Sequence, residues 1–156
     1  MSSVPFIEGY NIPSELYYSV GEHVWATVEP DGNVKMGITQ VATNCLREIF
    51  NITHKPPGTR TVVGDIICEL ESVSNCGGMP YIWRVASVAS GLIVEVNEKL
   101  VKNASNAYNL LMRPYGDGWI AKVKPDNLEE TMGKLLTGQE AIDAYIAELR
   151  ARPLRR

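Results

Sequence analysis

Residues 67–96 read ICELESVSNCGGMPYIWRVASVASGLIVEV, two apolar-rich runs flanking the small polar patch Ser74 to Gly78. Counted from Asp65, the first run sets Ile66, Cys68 and Leu70 on one face and Ile67, Glu69 and Glu71 on the other. The second alternates Leu92, Val94 and Val96 with Ile93, Glu95 and Asn97. A repeat of two residues marks half-buried strands, because successive Cβ atoms point to opposite faces of a sheet. Two such strands around a polar, glycine-containing patch form a hairpin whose tip stands in solvent, with Cys76 in the middle of that tip. Both runs open on Gly-x-Ile followed by Ile or Val, at Gly64 and Gly91, which suggests a duplicated strand unit.

Outward from this hairpin, the chain is punctuated in the same style. Residues 16–39, LYYSVGEHVWATVEPDGNVKMGIT, read as two strands around the turn Pro30-Asp31-Gly32-Asn33, an Asp-Gly hairpin signal. In QVATNCLREIFNI, Thr39 is placed to cap a short helix with Val41, Ala42 and Cys45 inward and Leu46 continuing that face. The Pro56-Pro57-Gly58 turn ends one element and Gly64 starts the next. RPYGDGWIAKVKP supplies a turn and a strand, with Trp119 as a core aromatic. From Asn127 the spacing is helical, through Leu128, Met132, Leu135 and Leu136, then Ala141, Ala144, Tyr145 and Leu149, with Gly138 between the two pieces. Short strands, Gly/Pro turns and terminal helices predict a mainly β fold, a small sandwich or flattened barrel. The predicted layout is an extended leader over 1–15, one domain over 16–150 and a basic tail over 151–156.

Composition narrows the function. A net charge of −3 argues against a nucleic-acid surface, and Arg150, Arg152, Arg155 and Arg156 read as a solvated tail. No apolar run approaches the ~20 residues of a membrane span. MSSVPFIEGY has neither a basic n-region nor an apolar core, so no secretory signal is evident. Cys45, Cys68 and Cys76 show no C-x-x-C spacing and fit a reduced cytoplasmic setting better than a disulfide framework. With His23 and His54 they show no zinc-ligand spacing. No phosphate-binding Gly-rich loop and no Gly-x-Ser-x-Gly elbow exist. Glu69 and Glu71 share a strand face, which reads as its solvent side before it reads as an acid–base pair. No catalytic residue and no metal ligand is predicted, and the chain reads as a non-enzyme.

The landmarks taken in order are EHVW (22–25), GITQVA (37–42), the Pro-Pro-Gly turn with Gly64, ESV (71–73), SGLIVEVNEKL (90–100), Asn109 and PYGDGW (114–119). In that order the chain resembles the glycine cleavage system H protein and its lipoate-binding relatives, over residues of about 16 to 150. The resemblance implies a barrel-sandwich hybrid of lipoyl/biotinyl-carrier type. It implies a hairpin tip bearing one lysine amidated by lipoic acid, whose swinging arm visits several enzymes in turn. It places the His23 and Trp25 segment under the carrier hairpin. The start LYYSVGEHVW and the tail LLTGQEAIDAYIAELRA look more like the branch associated with heterodisulfide-reductase-like sulfur oxidation.

The family's Glu-Ser-Val-Lys is here Glu71-Ser72-Val73-Ser74, and no lysine lies between Lys55 and Lys99. The interval from Val73 to Gly91 is about six residues longer than the family's, the excess falling within NCGGMPYIW. Val88 stands for an expected proline of the returning turn and Arg47 for an expected glycine. Lipoyl ligases form an amide, and a serine offers only a hydrolysable ester on a shorter stem, so no cofactor is expected. What the resemblance then implies is a binding or regulatory protein that keeps the carrier's partner surface, namely Glu71, Ser72, Val73, Asn75, Met79, Tyr81, Trp83 and His23. Its partners would be lipoyl-dependent or heterodisulfide-reductase-like enzymes and lipoate assembly enzymes. Two alternatives stand beside it: Cys76 carrying a persulfide or mixed disulfide, and an ordinary lipoyl carrier in glycine cleavage or sulfur oxidation. For Trp83 the options are an exposed anchor, a plug folded into the cleft of the absent arm, or plain strand packing; for His23, a partner contact or a surface strand residue.

Overall fold

β-Branched and aromatic residues in alternation make the first regular elements. These are β1 (Phe6–Ile7), β2 (Tyr10–Asn11), β3 (Tyr17–Ser19), β4 (Val24–Val28) and β5 (Val34–Ile38). The computed structural model describes residues 6–74, 80–102 and 104–152. The β4–β5 turn is closed as its sequence predicts. Gly32 takes φ +88°, and the Asn33 backbone N–H donates to Asp31 Oδ1 at 3.0 Å. Gly37 lies opposite Trp25, so close that a Cβ there would meet the indole at 2.8 Å.

Next come α1 (Gln40–Thr43), β6 (Leu46–His54), β7 (Arg60–Thr61), β8 (Ile66–Ser74), β9 (Pro80–Ala86) and β10 (Gly91–Val96). The predicted helix is only one turn long, with Val41 and Ala42 buried, and Thr39 makes no side-chain cap bond. Leu46, expected to continue that helix, instead opens the nine-residue β6. β-Branched Ile49, Ile52 and Thr53, with Phe50, favour the extended state there. The chain continues with α2 (Glu98–Lys102), α3 (Ala104–Met112), β11 (Ala121–Pro125), α4 (Leu128–Gly133), β12 (Leu136–Thr137) and α5 (Gly138–Ala151). Asn127 caps α4 by accepting from Glu130 N–H at 3.0 Å.

One antiparallel sheet has the order β12-β3-β4-β5-β11-β10-β7 and a second has β6-β8-β9. The two share a core in which Val24, Met36, Ile93 and Val123 of the first meet Ile67, Leu70 and Val85 of the second. A separate cluster of Tyr10, Ile12, Tyr18, Trp25, Val41, Ala141, Tyr145 and Leu149 seats α5. Of the stretch read as an extended leader, the described residues from Phe6 onward fold back as the antiparallel β1–β2 pair, and Tyr10 and Ile12 are buried in that second cluster. Trp119 packs only partly buried at its margin.

The period-two faces need correction in both halves of the duplicated unit. On β8 the register shifts between Ile66 and Cys68, so Ile67 is 2% exposed and Ile66 37%. On β10 it shifts between Ile93 and Glu95, so Ile93 and Val96 point inward together. A bulge adds one residue to one strand and flips the alternation beyond it. Each bulge starts two residues after its glycine, Gly64 or Gly91, a structural counterpart of the sequence repeat.

Candidate functional site

β8 is the middle strand of its sheet, paired with β6 from His54↔Cys68 to Leu46↔Ser74 and with β9 from Ile66↔Ala86 to Val73↔Pro80. Its inward side chains Cys68 and Leu70 fix it to the core, and its last residue, Ser74, is where β8 runs into the connection to β9. Asn75, Cys76 and Met79 lie outside the described residues. Around the apex the expected surface divides. Val73 is 36% exposed and Tyr81 38%. Glu71 is half-buried and accepts from Asn51 Nδ2 at 3.0 Å.

Ser72 is corrected from surface to interior. It is fully buried, its hydroxyl donating to Val73 O at 2.8 Å and accepting from Arg47 N–H at 3.2 Å. The cause lies on β6, where a register shift between Leu46 and Ile49 interrupts the ladder, and the serine hydroxyl takes up the Arg47 N–H. Glu69 is held by Arg84 at 3.0 Å, so the two carboxylates of the ELES segment serve separate partners and form no acid–base couple.

His23 is likewise corrected. It is not on a strand face but in the β3–β4 turn, at φ +57° and 8% exposed. The left-handed turn directs the ring inward, where it stacks on Tyr145 of α5 at 5.9 Å and lies 6.0 Å from the Trp83 ring of β9. Tyr145 Oη is 3.5 Å from His23 Nδ1. Burial lowers the pKa of His23 and Glu148 opposes that shift. Trp83 packs against the core and is no exposed anchor; its Nε1 is buried with no hydrogen-bond partner among the described residues. Burial also raises the Tyr145 phenol. Tyr145 carried a core-face signal in the sequence, but nothing there linked it to His23, from which 122 positions separate it.

A second polar lock holds the PYGDGW turn. Asn97, buried at the end of β10, donates through Nδ2 to Asp117 O at 2.9 Å and Trp119 O at 2.8 Å. Trp25 Nε1 donates to Pro114 O at 2.8 Å. The landmarks EHVW, VNEKL and PYGDGW thus meet in space.

The lysines fall on β5 (Lys35), after β6 (Lys55), on α2 (Lys99 and Lys102), on β11 (Lys122 and Lys124) and after α4 (Lys134). The β8–β9 hairpin contains none. Among the described residues no group of three or more His, Cys, Asp or Glu could hold a metal ion, and no helix is long and apolar enough to cross a membrane.

A family model described as Glycine cleavage H-protein matches residues 16–148. Glycine cleavage system H protein 2 of Aquifex aeolicus is 39% identical over 135 residues, covering 86% of this chain and 78% of that protein. Glycine cleavage system H protein 3 of the same organism is 36% identical over 137 residues, covering 86% and 80%. The crystal structure of a glycine cleavage system H protein from Mycobacterium marinum superposes with a TM-score of 0.67 at 30% identity, covering 85% of this chain and 98% of that one. The architecture is therefore the H-protein barrel-sandwich.

Proposed function

The chain belongs to the glycine cleavage H-protein family, and from that premise we propose that it is a carrier-fold protein without cargo, acting by binding partners rather than by carrying lipoate. One observation supports this reading most. β8 ends at Ser74 where the family motif has its lysine, and no residue from 56 to 98 offers an amine side chain. An amide-linked arm needs that nitrogen, so the hairpin as it stands does not fit the group. The scaffold that displays the apex is intact, with Val73 and Tyr81 exposed beside it for contact. Its partners in this reading are lipoyl-dependent or heterodisulfide-reductase-like enzymes, or lipoate assembly enzymes, in the cytoplasm.

Two other readings remain outcomes of one experiment. The names of the relatives favour an ordinary glycine-cleavage carrier, which requires an acylated residue elsewhere. A thiol carrier would use Cys76. Intact-mass spectrometry after co-expression with lipoyl ligase separates the three. An unmodified mass is the expected result; a lipoyl increment on any lysine overturns the proposal in favour of the carrier, and a sulfur adduct mapped to Cys76 in favour of the thiol.

A further inference from the structure

Three elements that are remote in sequence converge on the His23 ring. Its own turn is pinned by backbone bonds, His23 N–H to Val20 O at 3.3 Å and Thr39 N–H to His23 O at 2.9 Å. From α5, Tyr145 stacks on it at an interplanar angle of 29°. From β9, Trp83 meets it at 43°, with Tyr81 a further 6.3 Å beyond. Left-handed φ at a non-glycine residue is uncommon and is retained where the surroundings over-determine it. Trp83 is held there by packing alone, since its buried Nε1 finds no acceptor, which makes its seat the weak joint. The titratable and charged groups facing the ring are Tyr145 and Glu148 on α5, with Tyr81 behind Trp83 on β9; Glu22, next in sequence, is exposed, and Thr39 adds a hydroxyl near Tyr145. Glu148 is itself paired with Arg152.

We propose that His23 is a proton-gated latch joining the C-terminal helix α5 to β9, the returning strand of the hairpin, so that protonation releases both together. A neutral imidazole stacks on Tyr145 and offers Nδ1 to its hydroxyl. A proton on Nδ1 turns that acceptor into a donor and places a charge between two aromatic rings, where Glu148, already paired with Arg152, is the carboxylate that favours it. The unfolded chain takes up this proton near pH 6.5. Because the seated ring resists it, the unfolded state binds more protons as pH falls below that value. Stability of the latch therefore declines from about pH 6.5 downward, and stops declining once the seated ring is itself protonated. Since α5 and β9 share one ring, release of either weakens the other, as any coupling free energy must be reciprocal. This device does not depend on what the hairpin apex carries.

The test uses the full chain. Side-chain NMR follows the His23 ring from pH 8 to 4.5 with His54 as internal reference. Amide exchange, corrected for intrinsic rates, is read over residues 80–86, 141–149 and the β4–β5 hairpin. Protection of the first two segments is expected to fall together by up to about tenfold per pH unit as His23 protonates, while β4–β5 is unchanged. His23→Asn, which tolerates the left-handed turn, is expected to abolish the pH dependence. The latch is refuted if His23 protonates without change in protection, if only one of the two segments opens, or if the pH dependence survives in His23→Asn. Should that variant fail to fold, the coincidence of ring titration and loss of protection in the wild-type chain decides alone.

Discussion

Gly37→Ala is expected to destabilise the fold by about 1–3.5 kcal/mol, and the reason lies in one ring edge. An added Cβ would sit 2.8 Å from Trp25 Nε1 and 2.9 Å from both Cε2 and Cζ2. Carbon contacts settle at about 3.5–4.0 Å, so the indole must retreat by roughly 0.7 Å or more. The ring is fully buried and its N–H is committed to Pro114 O at 2.8 Å. A retreat of that size takes the bond to about 3.5 Å, where little of it remains. Overpacking costs roughly 1–3 kcal/mol and the hydrogen bond about 1, offset by about 0.5–1 gained from the stiffer unfolded chain. The melting temperature should fall by about 2–14 °C. Trp25→Phe should cost a similar amount by stranding the Pro114 carbonyl and thinning the core. It also removes the ring edge that the new methyl strikes, so the double variant should be at least about 1 kcal/mol more stable than the sum of the two losses predicts. Urea unfolding followed by far-ultraviolet circular dichroism reads all four proteins without relying on the altered fluorophore. Losses that add to within about 0.5 kcal/mol would show that Gly37 is not constrained by Trp25.

Asn97→Ala, which removes donors to Asp117 O and Trp119 O, should cost about 2 kcal/mol and lower the calorimetric midpoint by several degrees. Burial pushes the Cys68 thiol up to about 12. Peptide mapping after maleimide treatment near pH 8 should therefore find Cys68 unlabelled in the native protein and labelled in denaturant. Because the unfolded thiol ionises near 8.5, the same burial makes stability decline as pH rises from there toward the folded value, which a pH series of melts would register. Ser74→Lys should acquire a lipoyl mass on co-expression with lipoyl ligase; failure to do so in folded protein would remove position 74 as the family's attachment position.

How much was legible from residues depended on the range of the interactions involved. The Asp31-Gly32 turn and the strand character of residues 66–71 and 92–96 are local matters of dihedral preference and alternation, and they lie where the sequence puts them; their pairing does not, because the strand returning from the hairpin is β9 (Pro80–Ala86), while the 92–96 run pairs with β11 and β7 in the other sheet. The faces of β8 and β10 were misjudged because a bulge is fixed by the partner strand, so period two holds only on each side of it. His23 and Ser72 were placed at the surface for a related reason. A polar residue in a strand-like run normally faces water, yet Ser72 turns in to satisfy an N–H that a bulge in β6 leaves over. His23 is turned in by a left-handed φ that no flanking glycine announces. The contact of Trp83 with a histidine and, through it, with the last helix spans most of the chain, and no short-range pattern encodes it.

The energetics of the hairpin explain how membership in a carrier family and the carrying of cargo can separate. β8 is secured by Ile67, Cys68 and Leu70, which lie at or below 2% exposure, and by ladders on both edges. Burial of such side chains contributes roughly 1.5–3 kcal/mol each. An apical side chain that projects into water buries almost nothing, and exchange there is usually worth within about 0.5 kcal/mol. Exchange of an apical lysine would therefore leave the fold's stability nearly untouched. Identity of 39% over 135 residues shows the family and with it the fold. The chemistry at the end of β8 has to be read from its own residues, and there the sequence has Ser74 and no lysine.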